Sequence, residues 1–137
     1  MASYLLFKFI EKGKRIVDSI LTSVKKMLGI AEEYVHFDED LVIHINSVFS
    51  ILTQLGVGPP EGFSIKDKNA KWSDFVSEKS NLEFIKSYIH LRVKRLFDPP
   101  LSSAVIESMI QMATELEWRI QVAADPIESK EEENQNG

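Results

Sequence analysis

Histidine, aspartate and glutamate are the side chains with which this sequence could do acid–base or metal chemistry. The three histidines are far apart and show no HExxH or other paired ligand spacing: His36, His44 and His90. The acidic run 38–40 is better explained as the start of a helix that Asp38 caps, because carboxylates favour the first turn. Cysteine is absent, and no hydroxyl belongs to a nucleophile–base pair. We therefore expect no catalytic residue, no metal and no cofactor.

Two other groups of residues are suited to binding a macromolecule. The first is basic and lies on one predicted helix: Lys86, Arg92, Lys94 and Arg95. It could contact a phosphate backbone or an acidic protein surface, and a solvated helix face would look the same. The second is Trp118, which stands beside Arg119 and off the main apolar stripe of the last helix. Both residue types are common interface anchors, although a tryptophan here could also fill the core.

Two helices separated by a proline break form the centre of the predicted fold. Ser80 and Glu83 have the spacing of a capping box. Apolar residues then recur at steps of three and four: Leu82, Ile85, Ile89, Val93 and Leu96. Asp98-Pro99-Pro100 ends this helix because proline has no amide hydrogen. Ser102 or Ser103 caps the next helix. Its predicted stripe is Val105, Met109, Met112, Leu116 and Ile120, widened by Ile106, Ile110 and Ala113. Two such stripes predict a helical hairpin.

The rest of the chain supplies elements that cover this hairpin. The apolar pattern over residues 4–28 predicts a helix that Gly13 would weaken. Two lysines lie near its carboxyl end, and Gly29 ends it. A second helix runs from Asp38 to a stop at Gly56, and its stripe is Leu41, Ile45, Val48, Phe49, Leu52 and Leu55. A Gly/Pro-rich turn over 56–63 and a polar loop over 64–70 follow. Trp72 and Phe75 then belong to a short helical turn that reaches into the core.

Composition limits the chain to one small domain. With 137 residues and 44% hydrophobic content, it can bury a real core. We predict an all-α bundle of about four main helices over residues 1–124, in which 1–15 are an N-terminal extension. Residues 125–137 are acidic and have no large apolar residue after Ile127, so we expect a disordered tail. No apolar run approaches the roughly 20 residues of a membrane span, and the start does not have the pattern of a signal peptide.

Charge is distributed unevenly along the chain. The net charge is -5; residues 1–30 carry six Lys or Arg against two Asp or Glu, whereas residues 31–137 carry ten against nineteen. An acidic body argues against duplex binding as the main role. The uneven charge also means that the basic start of one subunit could attract the acidic end of another.

The order of short motifs resembles a known family. The motifs are Leu28-Gly29-Ile30, Phe37-Asp38, His44-Ile45-Asn46, Gln54-Leu55-Gly56-Val57-Gly58-Pro59, Gly62-Phe63, Trp72-Ser73-Asp74-Phe75, Tyr88-Ile89, Arg92-Val93, Leu96-Phe97-Asp98-Pro99-Pro100 and Glu115-Leu116-Glu117-Trp118-Arg119. In this order, from about Val24 to about Val122, they resemble the head–tail connector (head-completion adaptor) family of tailed bacteriophages and prophages of low-GC Gram-positive bacteria.

The resemblance implies a structural protein of the virion, made in the host bacterial cytoplasm. Such proteins form a ring between the portal at the capsid vertex and the next stopper or tail-completion protein, and DNA passes through the hole. An acidic lumen would let DNA slide without sequence-specific binding. In such a ring, the first helix of one subunit could lie near the last helix of the next, with Trp118 and Arg119 as anchors; the same helices could instead pack within one subunit. The alternative function is a small DNA-binding regulator that uses the basic patch for recognition.

Overall fold

Five helices make up the described part of the chain. The computed structural model describes residues 18–76 and 82–124. In these two ranges the helices are α1 (Ile20–Met27), α2 (Asp38–Gln54), α3 (Trp72–Phe75), α4 (Leu82–Phe97) and α5 (Ser103–Ala124), with no β-strand beyond one isolated bridge between Ser19 and Lys71. The predicted all-α fold is confirmed. The predicted cap at Ser80, the extension 1–15 and the tail 125–137 lie outside the described residues.

Helix α4 is the centre of the bundle, because α2 and α5 pack on different sides of it and α1 lies beside it. Four of the five predicted stripe residues are buried, and Tyr88 is buried with them: Leu82, Ile85, Ile89 and Val93. The prediction is wrong for Leu96, which is 53% exposed. Its neighbour Phe97 turns inward instead and packs edge-on against Phe37, with the ring centroids 5.1 Å apart.

The proline break divides the hairpin as predicted. Helix α4 ends at Phe97, and Lys94 reaches forward to the carboxylate of Asp98 at 2.7 Å. Pro99 and Pro100 then lack the amide hydrogens that a continuing helix would need. Helix α5 starts at Ser103. The hydroxyl of Ser102 accepts a long hydrogen bond from the amide of Val105, at 3.5 Å. Ser102 therefore occupies the capping position.

Helix α5 buries a narrower stripe than its sequence pattern predicts. Met109, Ala113 and Ile120 are buried, and Ile106 and Leu116 are half-buried. The prediction is wrong for three other members of the stripe, which are exposed: Val105, Ile110 and Met112. Among the described helices, α5 packs chiefly on α4, so these helices cover only one side of it.

A buried lysine joins α1 to α2. Lys25 lies near the carboxyl end of α1, as predicted, and it is fully enclosed. Its ammonium donates to the carbonyl of Glu32 at 2.8 Å and forms an ion pair with Asp38 at 2.9 Å. The prediction that Asp38 caps α2 is therefore wrong: Phe37 is the N-cap residue, and no side chain caps this end. The carboxylate turns to the lysine, because a buried ammonium without a counter-charge would be costly.

The segment between α2 and α4 is held by one amide and one tryptophan. Asn46 on α2 receives the amide hydrogen of Ile65 at 2.8 Å and donates to its carbonyl at 2.9 Å, which places Ile65 in the core. Trp72 on α3 is fully buried, and its indole N–H donates to the hydroxyl of Ser23 at 3.1 Å. The predicted insertion of Trp72 and Phe75 into the core is confirmed. These contacts seat the loop against α1 and α2.

Gly58 allows the loop to approach this core closely. Its φ of +81° is left-handed, and a Cβ at this position would overlap the ring of Phe75. Phe75 packs in turn with Phe49 and Phe63, with ring centroids 4.7 to 5.1 Å apart. The glycine is therefore required by both backbone and packing.

Candidate assembly interface

The four basic residues of α4 do not form one patch. Because residues advance by about 100° around a helix, Lys86 and Lys94 share one edge, and Arg92 and Arg95 share another. On the first edge, Lys86 lies 5.2 Å from the centre of the Trp72 ring, and Lys94 pairs with Asp98. On the second edge, Arg92 lies 4.0 Å from the carboxylate of Glu117. Both edges are partly covered by the fold, so a single flat phosphate-binding face is not available on α4.

A tyrosine–glutamate pair fixes α5 against α4. The hydroxyl of Tyr88 donates to the carboxylate of Glu117 at 2.6 Å, and Tyr88 itself is fully buried. Burial and the hydrogen bond to Glu117 both raise the pKa of the Tyr88 phenol, although the charges of Arg92 and Arg95 oppose this. The phenol is therefore a neutral donor at every physiological pH. Sequence periodicity did not identify this pair, because each residue stands at the edge of its stripe.

Trp118 lies on the outer side of α5. Its side chain is 65% exposed, so the alternative in which it fills the core is wrong. Val122, one turn further on, is also exposed and extends the same apolar strip. Arg119 is exposed and pairs with Glu115 at 2.8 Å, an interaction within one helix that is weak in water. The structure thus leaves Trp118 and Arg119 on the surface, where a neighbouring chain can reach them.

The described part of α1 does not pair with α5. Helix α1 packs on α2 and α4, and α5 packs on α4. The buried residues of α1 are directed into its own bundle: Ile20, Leu21, Val24 and Lys25. The alternative in which both helices pack inside one subunit therefore holds for residues 20–27 and for the buried side of α5.

A groove of about 430 Å³ lies between α4 and α5. Its apolar lining is provided by Phe84, Leu91, Met112 and Leu116. Its polar lining residues are Ser87, His90, Glu115 and Arg119. Phe84 and Met112 are each more than two-fifths exposed. The sequence did not indicate this groove, because Met112 fits the predicted core stripe of α5 equally well.

The histidines remain apart in the fold. His90 stands at the margin of the groove, His44 on α2, and His36 beside the rings of Tyr34 and Phe37. Burial and the positive charge of Lys94 lower the pKa of His90, and a hydrogen bond to the Met27 backbone partly opposes them. Across residues 18–76 and 82–124, no group of three or more His, Asp or Glu is placed to hold a metal ion. No helix in those ranges is both long and apolar enough to cross a membrane.

Fold and surface together define a small helical protein that leaves an apolar groove and an exposed tryptophan outside its core. Over residues 20–126 the sequence matches the family described as phage connector protein, and the chain belongs to this family. The match covers well over half of the chain and includes every described helix. No curated protein and no solved structure is significantly similar to the chain. The resemblance read from the motifs is confirmed.

Proposed function

We propose that this chain is a structural protein of the phage virion that forms a ring between the portal and the downstream stopper or tail-completion protein. In this position it completes the head and surrounds the DNA path. Membership of the connector family supports a connecting role. The observation that carries the proposal of assembly is the outer side of α5, where Trp118 lies exposed and Arg119 lines an apolar groove.

The apolar surface of α5 is more extensive than a monomer needs. Five of its large apolar residues are exposed: Val105, Ile110, Met112, Trp118 and Val122. Scattered apolar side chains are normal on a surface, but an exposed tryptophan and an apolar groove on the same helix are typical of a contact surface. Helix α5 closes its own bundle with one side, and we assign the other side to a neighbouring subunit or to the portal.

Two features favour the connector over a DNA-binding regulator. A recognition helix must enter a groove of DNA, but α4 lies between α2 and α5, and Lys86, Lys94 and Arg92 already contact groups of their own chain. The net charge of -5 also opposes tight binding to phosphates. It fits a conduit through which DNA moves without sequence-specific contacts. We assign the protein no catalytic role and no cofactor.

The test compares folding and assembly separately. The double variant Trp118→Ala, Arg119→Glu is mixed with portal-bearing capsids that lack the protein, and incorporation is measured by sedimentation. We expect an unchanged melting temperature and at least a tenfold loss of incorporation. Ile43→Ala is the matched control, because Ile43 on α2 is an equally exposed apolar residue at 63%. Normal incorporation of the double variant would contradict the assignment of this side of α5.

A further inference from the structure

We propose that the α4–α5 groove receives Tyr34 and Val35 of an adjacent copy of the chain. This inference rests on the proposed ring and names the contact that joins one subunit to the next. The inserted part is the connector tip, residues 32–36 between α1 and α2. Tip and groove lie on different parts of the surface, so the contact is heterologous, and repeated contacts of this kind close into a ring when the rotation allows it.

The connector tip presents apolar groups on a rigid turn. Tyr34 is 51% exposed and Val35 is 66% exposed. The amide of Tyr34 donates to the carbonyl of Ala31 at 3.1 Å, and the amide of Asp38 donates to that of Val35 at 3.2 Å. The buried Lys25 holds both ends, through the carbonyl of Glu32 and the carboxylate of Asp38. A tip fixed in this way loses little conformational entropy on binding.

The groove has the chemistry to accept these groups. Phe84, Leu91, Met112 and Leu116 provide an apolar lining. Its volume of about 430 Å³ falls within the roughly 300–1,000 Å³ of sites that enclose a small apolar ligand. An aromatic ring and a branched aliphatic side chain are the kind of occupant that such a lining favours, and covering Phe84 and Met112 would remove their apolar surface from water.

Charge at the two surfaces is complementary. Glu32 and Glu33 are the first two residues of the tip and are exposed. Lys94 lies one turn beyond His90, which lines the groove on the α4 side. Arg119 stands on the other margin beside Glu115, the acidic residue of the lining. Acidic residues on the tip would therefore meet the positive charges of Lys94 and Arg119, which form the basic rim of the groove and fix the orientation of the contact.

The tip cannot enter the groove of its own chain in this conformation. The contact of Phe37 with Phe97 holds the segment between α1 and α2, which carries the tip, beside the end of α4. The groove reaches Leu91 at the nearest, which is six residues or about 9 Å back along the helix axis. Folding back would break the contacts of Lys25 with Glu32 and Asp38. A tip that fills the groove therefore belongs to a second copy.

Engineered cysteines test this contact directly, because the natural chain contains none. Val35→Cys and Met112→Cys are made as separate proteins, mixed, assembled on portal-bearing capsids and oxidised mildly. We expect a disulfide-linked dimer only when both variants are present. Ile43→Cys replaces Val35→Cys in the control, because it is equally exposed but lies on α2. Equal cross-linking by the control, or none by the pair in particles that contain the protein, would overturn the inference.

A charge reversal provides a second readout that does not depend on cysteine. Glu33→Arg and Arg119→Glu should each reduce incorporation at least fivefold, and the double variant should restore at least half of it. No restoration would count against the contact between tip and groove. If the parent chain never joins the particles, the proposed connector function fails and the inference fails with it. If the parent joins but the cross-link and the restoration are both absent, the inference alone is wrong.

Discussion

At the scale of single residues, the fold depends on a few positions that hydrophobic periodicity does not mark. Gly58, Asn46 and Lys25 each connect a loop to the bundle: one by lacking a side chain, one through an amide and one through a buried charge. A sequence reading detects the glycine-rich turn and the lysine near the helix end. It cannot detect that Phe75 packs on the glycine or that Asp38 turns to the lysine, since both depend on residues distant in sequence.

Replacing Gly58 by alanine should destabilise the protein by about 2–5 kcal/mol. A left-handed conformation costs an alanine about 1–2 kcal/mol, and the overlap with Phe75 adds a further packing cost of about 1–3 kcal/mol. Urea unfolding measures the change in free energy. The matched control is Gly29→Ala, which has a similar φ of +77° but no atom within 4 Å of the added Cβ. Equal losses in the two variants would show that Phe75 yields without cost.

His90 should make the bundle less stable as the pH falls below about 6.5. Its folded-state pKa is lowered by burial and by Lys94, so the unfolded chain takes up a proton at a pH where the folded chain does not. Protonation thus favours unfolding, and the loss grows until the pH reaches the folded pKa. We expect His90→Gln to lose less stability than the parent between pH 7.5 and 5.5. Urea midpoints that shift equally in both proteins would rule this contribution out.

At the scale of elements, periodicity predicts that a helix forms but not which of its sides is covered. The ends of α2 and α4 and the start of α5 follow from glycine, proline and a capping serine, and the sequence indicates these three boundaries. The buried side of α5 does not follow, because Val105 and Met112 fit the repeat as well as Met109 and Ala113 do. Only the one-sided packing of α5 on α4 distinguishes them. The groove was missed for the same reason.

The break between α4 and α5 should control how cooperatively the bundle melts. With Pro99 and Pro100 both replaced by alanine, nothing prevents α4 from extending past Asp98, and α5 would be rotated away from Tyr88. We expect a broader transition at a lower temperature, followed by circular dichroism. Leu101→Ala is the control, because Leu101 is fully exposed in the same turn. A double variant that melts like the parent would show that the packing of α4 on α5 sets the angle without the prolines.

At the scale of the whole molecule, the buried core and the proposed contacts use different sides of the same helices. The core is formed by α1, α2, α3 and the inner sides of α4 and α5. The groove, Trp118 and the connector tip are left outside it. Family membership could be predicted from the motifs, because they mark turns and packed aromatics that define this bundle. The contact surfaces could not, since a sequence does not show which apolar residues remain exposed after folding.

Salt should therefore separate the two kinds of contact that we assign to assembly. Exposed charges are screened over about 10 Å at 0.1 M salt and about 3 Å at 1 M, so the attraction between Glu33 and the basic rim should weaken as salt rises. Trp118 contributes apolar area, which salt does not screen. We expect incorporation of the parent into portal-bearing capsids to fall severalfold between 0.05 and 0.5 M sodium chloride, while that of Arg119→Glu falls much less. Trp118→Ala should reduce incorporation by the same factor at both salt concentrations. Two results would contradict this assignment. The loss of incorporation caused by Trp118→Ala could vary with salt, or Arg119→Glu could keep the full salt dependence of the parent. Either result would mean that the charges that respond to salt are not those of Glu33 and Arg119.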